Sequence, residues 1–143
     1  MNIAIVDDIA AERALLRSRL ERQLSRRNIQ ANLLEYETGE AFLSSCAKLQ
    51  FAALFLDIYM DGVNGIETAK QFRSMDARCL LIFTTTSTDH ALEGFRVRAM
   101  HYLVKPYTEE MISDLIDEIL ARLPSTERYM TLKLNGTEVP LPF

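Results

Sequence analysis

The chain offers little that would suit a membrane or an oxidising compartment. No apolar run approaches the roughly 20 residues that a membrane-spanning helix needs. The first residues also lack the basic stretch and apolar core of a secretion signal. Asp7 and Asp8 fall where such a core would continue. Cysteine is scarce: Cys46 and Cys79 are the only two, each inside an otherwise apolar segment. Both read as buried thiols, and neither a disulfide framework nor a thiolate metal site is expected. A surplus of positive charge is missing too. With 16 Lys and Arg against 20 Asp and Glu, the formal net charge is −4, which argues against nonspecific nucleic-acid binding by the chain as a whole. There is no internal repeat and no low-complexity segment. These absences predict a cytoplasmic protein with no membrane partner.

What is present suits one domain with a real core: 143 residues, 48% of them apolar. The organising stretch is Phe51-Ala52-Ala53-Leu54-Phe55-Leu56-Asp57. Six apolar residues run unbroken and stop at a carboxylate. Such a run reads as a strand buried on both faces, as in parallel sheets covered by helices. The carboxyl ends of those strands open into the crevice where ligands bind. An isolated charge there is costly without a partner or a metal.

Taken in order, the chain alternates strands and helices. Asn2 to Val6 is a short buried strand that ends in Asp7-Asp8. A helix follows from Ile9 to about Arg27, with Leu16, Leu20 and Leu24 on one face, and Asn28 ends it. Ala31 to Tyr36 reads as an edge strand. Thr38 is expected to cap a helix through Ala41, Phe42, Leu43 and Cys46. After the central strand, Asp61 to Gly65 is a loop. Asn64 with Glu67 resembles a capping box for a helix through Phe72. Leu80 to Phe83 is a buried strand running into Thr84-Thr85-Thr86. Ser87 or Thr88 is expected to cap a helix from Asp89 to about Val97. Met100 to Val104 is the fifth strand, followed by Lys105-Pro106. Thr108 caps the last helix, whose apolar stripe is Met111, Ile112, Leu115, Ile116, Ile119 and Leu120. Five alternations predict an α/β fold, a doubly wound five-stranded parallel sheet. The strands fit the order 2-1-3-4-5, with its switch point between the first and third strands.

In a parallel sheet the polar residues at the strand ends share one edge. Asp7, Asp8 and Asp57 then converge at the switch point, beside the Thr85 hydroxyl and the Lys105 ammonium. Three carboxylates raise one another's pKa unless a cation joins them. Hard oxygen ligands favour Mg²⁺, commonly held by one or two carboxylates where a phosphoryl group is handled. A lysine supplies a point charge for phosphoryl oxygens, and a threonine a hydrogen bond.

The Asp7-Asp8 pair, Asp57 in Leu-Asp-Ile-Tyr-Met, Asn64-Gly65, Thr85 and Lys105-Pro106 resemble response-regulator receiver domains over roughly residues 2–122. Phe83 with Ala91-Leu92-Glu93-Gly94-Phe95 and Tyr102-Leu103-Val104-Lys105-Pro106 looks most like receivers attached to LytTR-type DNA-binding domains. The resemblance implies the flavodoxin-like receiver fold and the same strand order. It implies a two-component signalling domain rather than an enzyme with a substrate. Asp57 is then the phosphoacceptor. Asp8 is a direct Mg²⁺ ligand, Asp7 helps hold the metal through water, and the Tyr59 backbone carbonyl is a further ligand. Lys105 pairs with Asp57 and later with the phosphoryl group. Thr85 and Tyr102 form the switch pair. The implied partners are a sensor histidine kinase, a second copy of the chain through the fourth helix and fifth strand, and DNA only through an output domain.

Three positions depart from the family pattern: Asp61 where proline is common, Thr86 where a smaller residue is usual, and bulky Tyr59. None removes a required group. Tyr59 and Thr86 are expected to exclude water and slow dephosphorylation. The Lys105–Pro106 peptide is expected to be cis.

Plainer readings stand beside these. Asp57 alone would pass for a turn residue, and Tyr102 for an ordinary core aromatic. Arg13, Arg17, Arg19, Arg22, Arg26 and Arg27 make the first helix basic, and a solvated face is the expected reading over kinase docking. His90 and His101 read as surface or packing residues. A haloacid-dehalogenase-like phosphatase requires an aspartate two residues beyond the nucleophile, where Tyr59 stands. A flavodoxin-like cofactor module requires a Ser/Thr/Gly-rich phosphate loop where this chain has two aspartates. A constitutive interaction module has no need of the full phosphorylation set that the sequence keeps.

The expected organisation is a receiver over 1–122, a linker over 123–128 and a hairpin over 129–143. The hairpin turns at Asn135-Gly136 and resembles the opening of a truncated LytTR domain. A hairpin packed on its own receiver is the alternative, since two strands alone are marginally stable.

Overall fold

The computed structural model describes residues 1–60, 64–86 and 89–123. Its elements are β1 (Asn2–Val6), α1 (Ala10–Arg26), β2 (Asn32–Tyr36), α2 (Gly39–Ser45), β3 (Ala53–Asp57), α3 (Gly65–Met75), β4 (Leu80–Thr85), α4 (Ala91–Arg96), β5 (His101–Val104) and α5 (Glu109–Arg122). The strands form one parallel sheet in the order β2-β1-β3-β4-β5. Both the alternation and the order expected from the sequence are present, with β2 at an edge.

Side chains of a strand alternate between its two faces. Here both faces are apolar, which is why the strands read as unbroken runs. On one face Ile3, Ile5, Phe55 and Ile82 meet Leu16, Leu20 and Leu24 of α1 and Ile112, Leu115, Ile116 and Ile119 of α5. On the other, Ala4, Val6, Leu54, Leu56, Leu81 and Phe83 meet Phe42 of α2 and Ile66, Ala69 and Phe72 of α3. β3 lies at the middle of the sheet and all five of its residues are buried.

Three helix starts follow the capping signals. Thr38 accepts the N–H of Ala41, Asn64 that of Glu67 and Thr108 that of Met111. Asn28 follows α1 with φ 54, the left-handed conformation that asparagine tolerates. α4 departs from expectation. It begins only at Ala91, its N-cap His90 makes no side-chain cap, and Gly94 is its one buried residue. With Leu92 and Phe95 exposed, it has no apolar stripe to extend it. The expected caps Ser87 and Thr88 lie outside the described residues, as do Asp61 and residues 124–143.

Four further readings need correction. Met111 is exposed rather than part of the α5 stripe. Cys46 is only half-buried, whereas Cys79 is buried. Leu123 is 5% exposed and donates its N–H to Ile119, so it closes α5 and the core instead of opening a linker. The basic face of α1 is largely engaged with the rest of the protein. Arg13 and Arg17 pair with Glu35 on β2, Arg22 with Glu109 and Arg27 with Asp117 on α5. Arg19 donates to the Tyr107 carbonyl and lies over that ring. These contacts join α1 to β2 and to the start and middle of α5.

Candidate functional site

Because every strand runs the same way, the residues ending them are gathered at one edge. Asp7 and Asp8 follow β1, Asp57 and Thr85 close β3 and β4, and Lys105 follows β5. Asp7, Asp8 and Asp57 each present a carboxylate oxygen, all within 4.8 Å of one another. Asp7 and Asp57 are buried and Asp8 is half-buried.

Each group is held by its neighbours. The Asp7 carboxylate accepts the Ile9 N–H at 2.9 Å, which sets its direction before α1 begins. The Asp7 carbonyl accepts from Arg13 Nη1 at 2.6 Å. Sequence reading missed that role of Arg13, and no local pattern signals it. The loop after β3 is drawn in by Gly65, whose N–H donates to the Ile58 carbonyl at 2.9 Å. A Cβ on Gly65 would lie 2.1 Å from the Asp57 carbonyl oxygen, so only glycine allows this approach.

Lys105 Nζ lies 2.9 Å from Asp7 Oδ2 and 4.0 Å from Asp57 Oδ2. The expected Lys105–Asp57 pair is therefore Coulombic contact without a hydrogen bond, and Asp7 is the bonded partner. Glu12, not singled out in the sequence, adds a third carboxylate 3.9 Å from the ammonium. The Lys105 backbone N–H donates to the Thr85 carbonyl at 2.6 Å, and the Lys105–Pro106 peptide is cis, as expected.

The electrostatics follow from this crowding. Burial, opposed by Lys105 and reinforced by Asp7 and Asp8, pushes the Asp57 carboxyl up to about 7. The Tyr59 backbone N–H, hydrogen-bonded to that carboxylate, acts the other way. Burial pulls Lys105 down, but its bond to Asp7 and the nearby carboxylate charges outweigh it and hold the ammonium above its ordinary value. The set is oxygen-only, negative and convergent. It fits a hard divalent cation such as Mg²⁺.

Around this edge, Thr85 is fully buried. The Tyr59 side chain is 44% exposed, and its ring meets that of His90 edge-on at 5.6 Å. Tyr102 packs against Phe83 with ring centroids 6.0 Å apart, and its hydroxyl accepts the His90 N–H at 3.3 Å. It is thus a packed aromatic that also touches the start of α4. His101 pairs with Glu118 on the surface.

The sequence matches the response regulator receiver domain over residues 3–117. The chain belongs to the receiver domain family. Among curated relatives, the receiver is 32% identical over 135 residues to the sensory transduction protein LytT of Oceanobacillus iheyensis, covering 93% of this chain and 54% of that one. It is 35% identical over 118 residues to the positive alginate biosynthesis regulatory protein of Pseudomonas aeruginosa, covering 81% and 46%. The chain therefore spans about half the length of these relatives. Among solved structures, the response regulatory domain of mrkE from Klebsiella pneumoniae superposes with a TM-score of 0.72 at 24% identity, covering 85% and 96%. TrrA from Thermotoga maritima, in complex with Mg²⁺ and beryllofluoride, gives 0.71 at 24%, covering 83% and 98%. At that identity these two show the fold. No helix among the described residues is long and apolar enough to cross a membrane.

Proposed function

We propose that this receiver takes a phosphoryl group from a sensor histidine kinase onto Asp57, with Mg²⁺ as cofactor. The observation that carries this is the convergence of Asp7, Asp8 and Asp57 within 4.8 Å, with Lys105 beside them. The carboxylate attacks the phosphorus of a phosphohistidine in line. The P–N bond breaks as the aspartyl P–O bond forms, and the histidine leaves with the electron pair. Asp8, Asp57 and the Tyr59 carbonyl would hold the metal, with Asp7 helping through water. When bound, Mg²⁺ neutralises charge on the transferring group. Lys105, bonded to Asp7 with Asp57 and Glu12 close by, turns its charge to the phosphoryl oxygens. Burial, with Asp7 and Asp8 beside it, raises the Asp57 carboxyl to about 7, and a divalent cation among the three carboxylates would favour the ionised nucleophile.

Thr85 then donates its hydroxyl to a phosphoryl oxygen, and Tyr102 moves into the space that it vacates. Because Tyr102 already touches His90 at the start of α4, its movement alters the α4–β5 face. Leu92 and Phe95 stand exposed there at 61% and 79%. They form the surface for dimerisation. This chain covers about half of relatives named a sensory transduction protein LytT and a positive alginate biosynthesis regulatory protein, and those names support a role in transcription through a DNA-binding output domain of the LytTR type.

The test is NMR of ¹⁵N-labelled protein titrated with Mg²⁺ and then beryllofluoride. Amides around Asp8, Asp57, Thr85 and Tyr102 are expected to shift in two steps, the second lost in Asp57→Asn. Absence of any beryllofluoride response in the presence of Mg²⁺ would overturn the proposal.

A further inference from the structure

At the opposite edge of the sheet, near the amino ends of β4 and β5, a groove of about 660 Å³ is lined by Arg73, Arg78, Arg96, Arg98 and Arg122. Its apolar lining includes Ala77, Leu80, Ala99 and Met100, with Phe95, 79% exposed, among its lining residues. The concentration is unusual for a chain of net charge −4. On α1 the arginines are taken up by Glu35, Glu109 and Asp117. Among the described residues, Arg78, Arg96, Arg98 and Arg122 make no ion pair, and all four are exposed. The neighbouring Asp76 forms an ion pair with none of these four. Its Oδ1 is turned to the backbone N–H groups of Arg78 and Cys79.

The groove is also braced from beneath. Arg73 donates Nε to the Val97 carbonyl at 2.7 Å, Nη1 to Cys79 at 2.7 Å and Nη2 to Arg98 at 3.1 Å. One guanidinium thereby fixes the two segments that carry Arg78, Arg96 and Arg98. Arg98 keeps φ 57, where glycine or asparagine would be the lower-energy choice. A rigid surface loses less entropy when it binds.

We propose that this groove, at the sheet edge opposite the phosphorylation site, is a docking site for an acidic, partly apolar protein segment. Guanidinium groups match carboxylates in bidentate geometry, and arginine clusters are a recurring way of reading acidic motifs. The apolar floor and Phe95 take a side chain such as leucine. A duplex backbone carries phosphates but no group for that floor, so a peptide fits better than nucleic acid.

The probe is a fluorescein-labelled synthetic peptide rich in Asp and Glu with one central Leu. Controls are its Asn/Gln counterpart and a labelled duplex DNA. Anisotropy with the unphosphorylated chain is expected to show salt-sensitive binding of the acidic peptide alone. Arg96→Glu should weaken it by about fivefold or more, while Arg26→Glu, an equal charge change at an exposed position of α1, should alter it less than about twofold. NMR on the unmutated protein should place the peptide's shifts at 78–80 and 95–100. Shifts elsewhere, equal binding of the uncharged peptide, equal loss in Arg26→Glu, or binding of duplex DNA in preference would each overturn the proposal.

Discussion

Replacing Asp57 by asparagine should stabilise the metal-free protein, and by an amount that depends on pH. The Asp57 carboxyl has an ordinary value of 3.8 and is pushed to about 7 in the fold, first by burial and then by Asp7 and Asp8. Below about pH 4 the folded and unfolded chains both hold the proton, and Asp57 costs nothing. As pH rises towards about 7, the unfolded chain ionises first, so the folded state loses relative stability. Above that window both states are ionised and the deficit stays constant. The displacement corresponds to on the order of 4 kcal/mol, and solvent reorganisation at the rim brings the expected effect to about 2–4 kcal/mol. Asparagine keeps the shape and removes the charge. Urea denaturation of both proteins, without divalent metal, should give nearly equal stability at acid pH and a gap that opens to its full size above neutrality. Adding Mg²⁺ should narrow it, because a ligand of the folded state stabilises wild type more. A gap independent of pH, or an Asp57→Asn variant less stable at high pH, would refute the electrostatic reasoning.

Other outcomes follow from single positions. Gly65→Ala places a Cβ 2.1 Å from the Asp57 carbonyl oxygen; it should cost about 3 kcal/mol or more in chemical denaturation, and an unchanged midpoint would mean that the loop gives way freely. Tyr59→Asn should speed phosphoryl loss by up to about a hundredfold if the ring, now edge-on to His90, excludes the attacking water; radiolabel decay that is equal or slower would show that the ring does not guard the site. Sedimentation should show a dimer with beryllofluoride that is lost in Phe95→Asp, and a persistent monomer in wild type would count against self-association on α4.

Much of this arrangement could be read in the residues because it rests on local rules. The strands announce themselves as apolar runs since both faces of the sheet are covered, and each stops at the polar residue that forms the site. Thr38, Asn64 and Thr108 cap helices through bonds three residues long. What escaped is set by contacts distant in sequence. The arginines of α1 looked like a solvated face because Glu35, Glu109 and Asp117 lie beyond any local window. Lys105 turned out to bond Asp7, 98 residues away, in preference to Asp57. Helix α4 is shorter than its sequence suggested because it buries only Gly94. Tyr102 illustrates both sides: its packing on Phe83 is that of a core aromatic, yet its hydroxyl reaches His90 at the helix most exposed to change.

The most direct measurement is the intact mass of the protein after incubation with acetyl phosphate, with and without Mg²⁺, for wild type and Asp57→Asn. A single phosphoryl adduct is expected on wild type, dependent on Mg²⁺ and absent from the variant. An adduct that survives in Asp57→Asn, or none on wild type with Mg²⁺ present, would contradict Asp57 as the phosphoacceptor.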